Sequence, residues 1–254
     1  MTELAKLLMG ADPAAKLRAL YENRKLHDVL PEIAALDIND KHSHKHKNNL
    51  FHSFQVLRQA IDQETEPDLV LRLAALFHDV GKPATRVMIN GKPTFRNHET
   101  VGASMVRKIL KREGFDKETI SLVSELITHH MRSFGFDANK WTDSAIRRLA
   151  NDLSSKEQLK RLFIIFKADV TTKYADRRQL IWGKADKLYE RIEEVTLKDE
   201  LAKRRPAING NELMELFNLA PGRELGRIMK FLNTEEGLAL SRDEAINKAR
   251  ELLQ

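Results

Sequence analysis

The 254-residue sequence contains no cysteine, which excludes disulfide bonds, thiolate metal ligands and cysteine nucleophiles. Aromatic residues make up only 6% of it, and no aromatic-rich RNA-binding motif is present. No apolar run approaches the ~18 residues of a membrane-spanning helix. The N-terminus also lacks the apolar core of a signal peptide. We therefore expect a cytoplasmic protein with no membrane partner.

The composition is that of an ordered, soluble protein, with 42% hydrophobic and 31% charged residues. The length allows one large domain, or one domain with an appendage. The net charge is +6 and the isoelectric point is about 9.4. This balance favours a polyanionic partner such as RNA, although equally basic proteins without such a partner are common.

The stretch from Leu69 to Pro83 joins an apolar helix to two side chains that can bind a metal. Gly81 can adopt the left-handed conformation that ends a helix, and Pro83 cannot continue one. His78 and Asp79 are therefore predicted on the last turn. A buried helix holds its last turn rigidly, as a metal site requires.

An adjacent histidine and aspartate are usually incidental, so the interpretation depends on other residues of the chain. His52, His98, His129 and His130 lie near predicted helix ends or on helix faces, and Asp169 ends another apolar helix. A lone histidine in such a place is more often a core residue. A buried carboxylate, however, must be paired or metal-bound. Imidazole and carboxylate together are ligands for Zn, Fe, Mn, Co or Ni.

Apolar residues recur with helical spacing through most of the chain. Asn49 is predicted to cap a helix that runs to about Gln63. Gly114 is predicted to end the helix that His98 opens. The pair Asn90-Gly91 lies between alternating residues and predicts a two-stranded hairpin. The predicted fold class is therefore all-α with one small β-hairpin.

The order of the candidate ligands resembles the metal-dependent HD phosphohydrolase superfamily. Three segments are further similar to the HD region of bacterial tRNA nucleotidyltransferases, the CCA-adding enzymes. These segments are Phe77 to Thr85, Phe95 to Glu99 and Thr128 to Met131. The resemblance implies an HD-domain helical bundle with a short helical N-terminal segment and a helical C-terminal tail.

The resemblance extends from about Leu7 to Leu253 and implies three parts. Residues 1–40 resemble the neck of the CCA-adding enzymes, residues 41–200 their HD domain, and residues 201–254 the tail that helps to hold tRNA. By themselves, the Asn-Gly and Pro-Gly segments of the tail indicate only helix caps and turns. The nucleotidyltransferase head has no counterpart in the 51 residues before His52, so nucleotide addition is not expected.

The resemblance also implies a metal centre with one or two divalent ions per chain, of Mn, Fe, Ni, Co, Zn or Mg. Four side chains are implied as ligands of one ion: His52, His78, Asp79 and Asp169. Three more are implied for a second ion bridged by Asp79: His98, His129 and His130. The implied reaction is metal-assisted hydrolysis of a nucleotide or RNA 3′-end phosphate, such as a 2′,3′-cyclic or 2′-phosphate.

Four basic side chains are predicted to contact the substrate: Lys82, His46, Arg132 and Lys173. Asp79 and Lys82 are the predicted catalytic residues, with Lys82 projecting from the helix end toward a phosphate. A solvated lysine is the alternative. His46 belongs to a polar, basic stretch whose simpler interpretation is a solvated loop near the site entrance.

Two other functions remain open from the sequence. The chain could be a non-catalytic tRNA-binding module that partners a separate nucleotidyltransferase. It could also be a nucleotide or signalling phosphohydrolase with a changed substrate. The intact set of metal-type residues favours an enzyme over a scaffold, and the oligomeric state cannot be read from the sequence.

Overall fold

The computed structural model describes residues 1–38, 48–137, 140–203 and 205–253. These residues are mostly helical, and their only sheet is a two-stranded antiparallel hairpin, which confirms the all-α prediction. They divide into two compact units, residues 1–192 and 193–254. The predicted three parts, with boundaries at residues 40 and 200, stay a prediction. Within the described ranges, no helix has both the length and the apolar character to span a membrane.

The first unit is built from short and medium helices around the hairpin. In chain order its elements are α1 (Glu3–Leu8), α2 (Pro13–Glu22), α3 (Leu26–Val29), α4 (Pro31–Ala34), α5 (Asn49–Ile61), α6 (Leu69–Phe77), α7 (Lys82–Thr85), β1 (Val87–Ile89), β2 (Lys92–Thr94), α8 (His98–Arg112), α9 (Lys117–His129), a 3-10 helix (Arg132–Gly135), α10 (Asp143–Asn151) and α11 (Lys156–Asp169). The long helix α12 (Ala175–Lys203) follows.

Helix α6 lies at the centre of the first unit, where it packs against α5, α9 and α11. Every residue from Leu71 to Phe77 is buried, including Arg72. The guanidinium of Arg72 donates to both carboxylate oxygens of Glu64 and to the carbonyl oxygen of Leu8. A buried charge is tolerated when it is paired and hydrogen-bonded in this way. The helix end that carries His78 is therefore held firmly.

Short polar side chains cap the helices that lead to this region. Asp68 caps α6, Asp116 caps α9 and Ser155 caps α11, each by accepting a hydrogen bond from a backbone N–H three residues later. Asn48 caps α5, so the prediction of Asn49 was wrong by one residue. The backbone of Asn48 is not helical, with a ψ of 121°, whereas Asn49 is the first helical residue.

Gly81 is needed for a different reason from the predicted one. Its φ is −78°, in the right-handed region, so the predicted left-handed conformation is wrong. A Cβ atom at this position would lie 2.1 Å from the carbonyl oxygen of His98 and 2.7 Å from the amide nitrogen of Gly102. The need for glycine thus comes from the backbone of α8, which passes directly against Gly81.

Two other glycines occupy the positions that their local sequence predicts. In the hairpin, Asn90 and Gly91 have φ values of 51° and 72°, and Ile89 pairs with Lys92 across the turn. This is the positive-φ turn that an Asn-Gly pair favours. Gly114 has a φ of 80° and follows the end of α8. Both predictions are confirmed because each depends on local backbone conformation alone.

The second unit has a hydrophobic core of its own. Its helices, after the end of α12, are α13 (Gly210–Phe217), α14 (Arg223–Leu232), α15 (Glu235–Ala239) and α16 (Arg242–Leu253). Ile208, Leu213, Ile228 and Leu232 are fully buried in this core. Asn209 and Glu212 form a capping box at the start of α13. Ser241 and Glu244 form a second capping box at the start of α16.

Candidate metal centre

Imidazole and carboxylate side chains converge where the C-terminal end of α6 meets its neighbours. The residues that meet there are His52 of α5, His78 and Asp79 after α6, His98 of α8, His130 after α9 and Asp169 of α11. Each of these helices has an apolar face in the core of the first unit. Their shared packing therefore positions side chains that are far apart in the sequence.

The carboxylate of Asp79 is the centre of this cluster. Its Oδ2 atom lies 3.2 Å from Nε2 of His78 and 3.6 Å from Nε2 of His52. Its Oδ1 atom lies 3.3 Å from Nε2 of His98. Oδ1 of Asp169 completes one side, 2.8 Å from Nε2 of His52 and 3.7 Å from Nε2 of His78. One carboxylate thus faces imidazoles through both of its oxygens.

The potential ligand atoms form two triads that share Asp79. In the first triad, atoms of His52, His78 and Asp79 lie within 4.8 Å of one another. In the second triad, the same holds for Asp79, His98 and His130. The Nε2 atoms of His98 and His130 are 3.3 Å apart. Each triad could hold one ion, with the Asp79 carboxylate between the two.

Backbone carbonyl groups orient three of these imidazoles. The Nδ1 atoms of His78, His98 and His130 lie 2.9, 2.8 and 2.7 Å from the carbonyl oxygen three residues earlier in the chain. A carbonyl oxygen can only accept, so Nδ1 carries a proton and Nε2 of the neutral ring has a free lone pair. Metal-ligating histidines are typically oriented in this way.

These lone pairs favour a cation between them. Nε2 of His98 and Nε2 of His130 face each other, and neither neutral ring has a proton to donate there. Nε2 of His78 is buried and has no hydrogen-bond partner among the described residues. An unsatisfied buried polar atom costs about 1–3 kcal/mol. Nitrogen and carboxylate donors in this arrangement fit a first-row divalent metal ion.

The two carboxylates of the centre are ionised. Burial raises the pKa of Asp79, but the nearby imidazoles of His78 and His98 and the charge of Lys82 outweigh it, so the pKa lies well below its usual range. Burial also raises the pKa of Asp169, but the hydrogen bond from His52 and the charge of His78 outweigh burial. The pKa of Asp169 therefore lies below its ordinary value. The centre therefore presents negative charge to an incoming cation.

Burial affects two of the imidazoles to different degrees. Burial, followed by the charge of His78, lowers the pKa of His130 to about 4. Burial also lowers the pKa of His78, but the adjacent carboxylate of Asp79 outweighs burial and raises the pKa above its ordinary value. The Asp79 carboxylate thus favours the protonated form of His78.

His129 does not join the other candidate ligands and belongs to neither triad. Burial lowers the pKa of His129, and its charged neighbours are Asp152, Arg132 and Glu125 rather than Asp79. Consecutive residues of an α-helix point about 100° apart. Because His130 is directed at the centre, His129 is directed away from it.

Lys82 lies directly beside the centre. Its ammonium donates to Oδ2 of Asp79 at 2.5 Å, and its side chain keeps 19% of its surface exposed. Nζ also lies 5.8 Å from the centroid of the Phe95 ring. Lys82 therefore combines contact with the shared carboxylate and access to solvent.

Two of the remaining predicted substrate contacts have partners elsewhere in the structure. Arg132 forms an ion pair with Asp152 at 2.8 Å, with both side chains exposed to solvent. The ammonium of Lys173 lies 5.4 Å from the ring centroid of Tyr174, the next residue. His46 lies outside the described residues.

Thr171 is a residue of this region that sequence reasoning missed. Its Oγ1 atom lies 3.1 Å from Nδ1 of His52, the ring nitrogen that faces away from the carboxylates. Thr171 thus takes the orienting role that backbone carbonyls have for the other three histidines. Its position two residues after Asp169 is the only hint in the sequence, and such spacing is not specific.

Residues 49–174 match the family model of the HD domain, a range that contains all the converging side chains. The chain is 34% identical over 248 residues to the CC-adding tRNA nucleotidyltransferase of Thermus thermophilus, covering 96% of this chain and 54% of that protein. It is 28% identical over 254 residues to the A-adding tRNA nucleotidyltransferase of Deinococcus radiodurans, covering 99% and 56%. The chain spans about half the length of the curated relatives it matches.

Proposed function

Because residues 49–174 of this chain are an HD domain of the metal-dependent phosphohydrolase superfamily, we propose that the protein hydrolyses phosphoesters with one or two divalent ions. The two triads that share Asp79 would hold these ions. The observation that carries the proposal is the orientation of His78, His98 and His130, whose free Nε2 lone pairs all meet around one buried carboxylate.

A bound divalent ion supplies Lewis acidity and lowers the pKa of water toward neutrality. The protein's own residues would provide the setting for this chemistry. Asp79 links the two triads and holds Lys82 in place through their hydrogen bond. The ammonium of Lys82 is the partly exposed cation at the centre and would contact the phosphate of an incoming substrate.

We propose as substrates nucleotide or RNA 3′-end phosphates, such as 2′,3′-cyclic or 2′-phosphates. The similarity to proteins named as tRNA nucleotidyltransferases supports this choice, because it covers nearly the whole of this chain. The net charge of +6 is compatible with such a polyanion. tRNA itself is a further proposed partner.

A second candidate function is a tRNA-binding module without chemistry of its own, working with a separate nucleotidyltransferase. The observation that favours it is the extent of the similarity, which includes residues 193–254 as well as the HD domain. The buried centre argues against this second function. Ionised carboxylates and an unpartnered imidazole nitrogen in the core would not stabilise a protein that only binds tRNA.

The metal content of the purified full chain tests the centre. After loading with Mn²⁺ and desalting, the wild type should retain one or two equivalents. His78→Ala and Asp79→Ala should lose metal, whereas His27→Ala, a change at an exposed histidine of α3, should not. A wild type that retains no metal would remove the hydrolase proposal.

Substrate turnover separates the two candidate functions. We propose a panel of bis-p-nitrophenyl phosphate, 2′,3′-cyclic AMP and nucleoside monophosphates, each with Mn, Ni, Co and Mg. Hydrolysis that depends on Asp79 and needs no tRNA would support the enzyme. Tight binding of tRNA by a protein that turns over nothing would support the module. Preference for a free nucleotide would indicate a nucleotide or signalling phosphohydrolase.

A further inference from the structure

A groove of about 920 Å³ lies along α2 and α5 and extends to His52 of the metal centre. It is lined by α5 and its caps from Asn48 to Asp62, which at a rise of about 1.5 Å per residue corresponds to a length of about 21 Å. This volume is near the upper end of the ~300–1,000 Å³ typical of small-molecule sites. The groove therefore has room for more than the phosphate that reacts.

Three arginines line this groove without a carboxylate partner. Arg18 and Arg58 are exposed, Arg178 is partly exposed, and the described part of the chain gives none of their side chains a hydrogen bond or an ion pair. Two carboxylates, of Asp12 and Asp62, also line the groove. The Asp12 carboxylate accepts a hydrogen bond from a backbone N–H as the cap of α2. The arginines are thus open to an anion from outside.

The groove also offers an aromatic platform. The guanidinium carbon of Arg18 lies 4.8 Å from the centroid of the Phe51 ring. The ring is held from beneath by edge contacts with Tyr21 and Phe54, at centroid distances of 5.3 and 6.2 Å. A base can stack on an arginine plane, and guanidinium groups bind phosphate. Cationic and stacking groups along one groove are the features that bind single-stranded nucleic acid.

The groove reaches the centre at its accessible side. The side chains of His52 and Asp169 are 11% and 14% exposed, whereas those of His78 and Asp79 are 2% exposed or less. Because His52 lines the groove and also belongs to the first triad, a chain bound in the groove can reach the His52 side of the centre.

We propose that this groove binds the phosphodiester backbone of a single-stranded RNA whose terminal phosphate lies at the metal centre. The position of the terminal phosphate rests on the proposed hydrolase function. An acidic peptide would also satisfy the arginines. RNA is favoured because the groove leads to a centre suited to phosphoesters and because a base can stack on Arg18.

RNA binding can be measured without catalysis. A fluorescent RNA of about five nucleotides with a 3′-phosphate is titrated with the full-length protein in EDTA, at several KCl concentrations. Each neutralised phosphate of a single strand contributes a slope of about −0.7 to log K against log salt. The wild type should therefore show a slope of about −2 if the three arginines each contact one phosphate.

Arg18→Gln and Arg58→Gln should each reduce the magnitude of this slope by about 0.7 and weaken binding about tenfold, as the loss of one charge-assisted hydrogen bond predicts. Arg107→Gln is the matched control, because Arg107 is an exposed arginine of α8 outside the groove. Circular dichroism verifies that each variant is folded. Wild-type affinity and slope in both groove variants would overturn the inference. Equal displacement of the RNA by polyglutamate would also overturn it.

Hydrolysis of bis-p-nitrophenyl phosphate by the wild type distinguishes the two possible failures. If the small diester is hydrolysed but the groove variants bind RNA like the wild type, the groove inference fails and the hydrolase proposal stands. If RNA binding depends on Arg18 and Arg58 but no phosphoester is hydrolysed, the hydrolase proposal fails and RNA binding in the groove stands.

Discussion

Gly81→Ala should damage the metal centre without changing any ligand. A methyl group at this position would lie 2.1 Å from the carbonyl oxygen of His98, whereas real Cβ contacts are essentially never shorter than 3.0 Å. The backbone at the start of α8 must therefore move by about 0.9 Å, the difference between these two distances. Productive metal and catalytic geometry tolerates about 0.5 Å. The displaced segment carries His98 itself, so the second triad should open.

The expected losses follow from this displacement. Overpacking of a well-packed site typically costs about 1–3 kcal/mol of folding free energy. For a chain of this size, each kcal/mol lowers Tm by roughly 2–4 °C. A misplacement of about 1 Å lowers a reaction rate about 100-fold. Metal content by mass spectrometry, thermal unfolding by circular dichroism, and diester hydrolysis measure the three effects separately.

Gly183→Ala is the control for this experiment. Gly183 lies within α12, and a Cβ atom there would meet no atom within 4 Å. Alanine in a helix interior is favoured over glycine by about 1 kcal/mol, so this variant should be slightly more stable than the wild type with unchanged metal content. Gly102→Ala provides a milder perturbation of the same contact, because its Cβ would lie 3.2 Å from the Gly81 nitrogen.

Two outcomes would refute this reasoning. If Gly81→Ala keeps the metal content and the activity of the wild type, the close approach of α8 does not set the position of His98. If Gly102→Ala damages the centre more than Gly81→Ala does, the clash distances do not determine the damage. If Gly81→Ala does not fold, the metal content and activity of Gly102→Ala test the same contact.

Other predictions concern the ligands and the core. His130→Ala should lose at least one metal equivalent while His129→Ala keeps all of them, and equal loss in both would contradict the orientation described for α9. Chelation should lower Tm, because at a free metal concentration about 100 times Kd the bound ion adds about 2.7 kcal/mol of stability; an unchanged Tm in EDTA would contradict a bound ion. Glu64→Gln should lower the free energy of unfolding by about 3–5 kcal/mol, because it leaves the buried charge of Arg72 without its partner. Unfolding in denaturant measures this loss, and Glu66→Gln, a change at an exposed site, is the control.

The features that the sequence predicted well are those decided by local chemistry. The turn at Asn90 and Gly91 requires positive φ at both positions, and few residue types other than these adopt it readily. The end of α8 at Gly114 likewise depends on the backbone conformation of one residue. The cap of α5 was misplaced by one residue because Asn48 and Asn49 are chemically identical and only the path of the entering chain distinguishes them.

The choice between His129 and His130 could have been made from the sequence. Val123, Leu126 and Ile127 are buried on α9, and His130 continues this stripe at the spacing of a helical face. His129 lies beside the stripe. The apolar pattern of the helix therefore identifies the inward histidine.

The role of Gly81 and the groove of Arg18 and Arg58 could not be predicted from the sequence. Gly81 is needed because a helix that begins 17 residues later passes against it. The groove forms because α2 packs on α5, and nothing near either arginine in the sequence indicates that they share one surface. Both features depend on tertiary packing, which local patterns do not encode.

The electrostatics of the centre favour a binding site for a cation over a purely structural ion cluster. A buried ionic cluster can often be replaced by apolar residues with no loss, or with a gain, of stability. This chain instead buries the carboxylate of Asp79 among imidazoles that backbone carbonyls hold with their lone pairs inward. The ammonium of Lys82 pairs with this carboxylate, and the carboxylate raises the pKa of His78. The core thus retains a cluster that contributes little to folding by itself and becomes favourable when a cation binds.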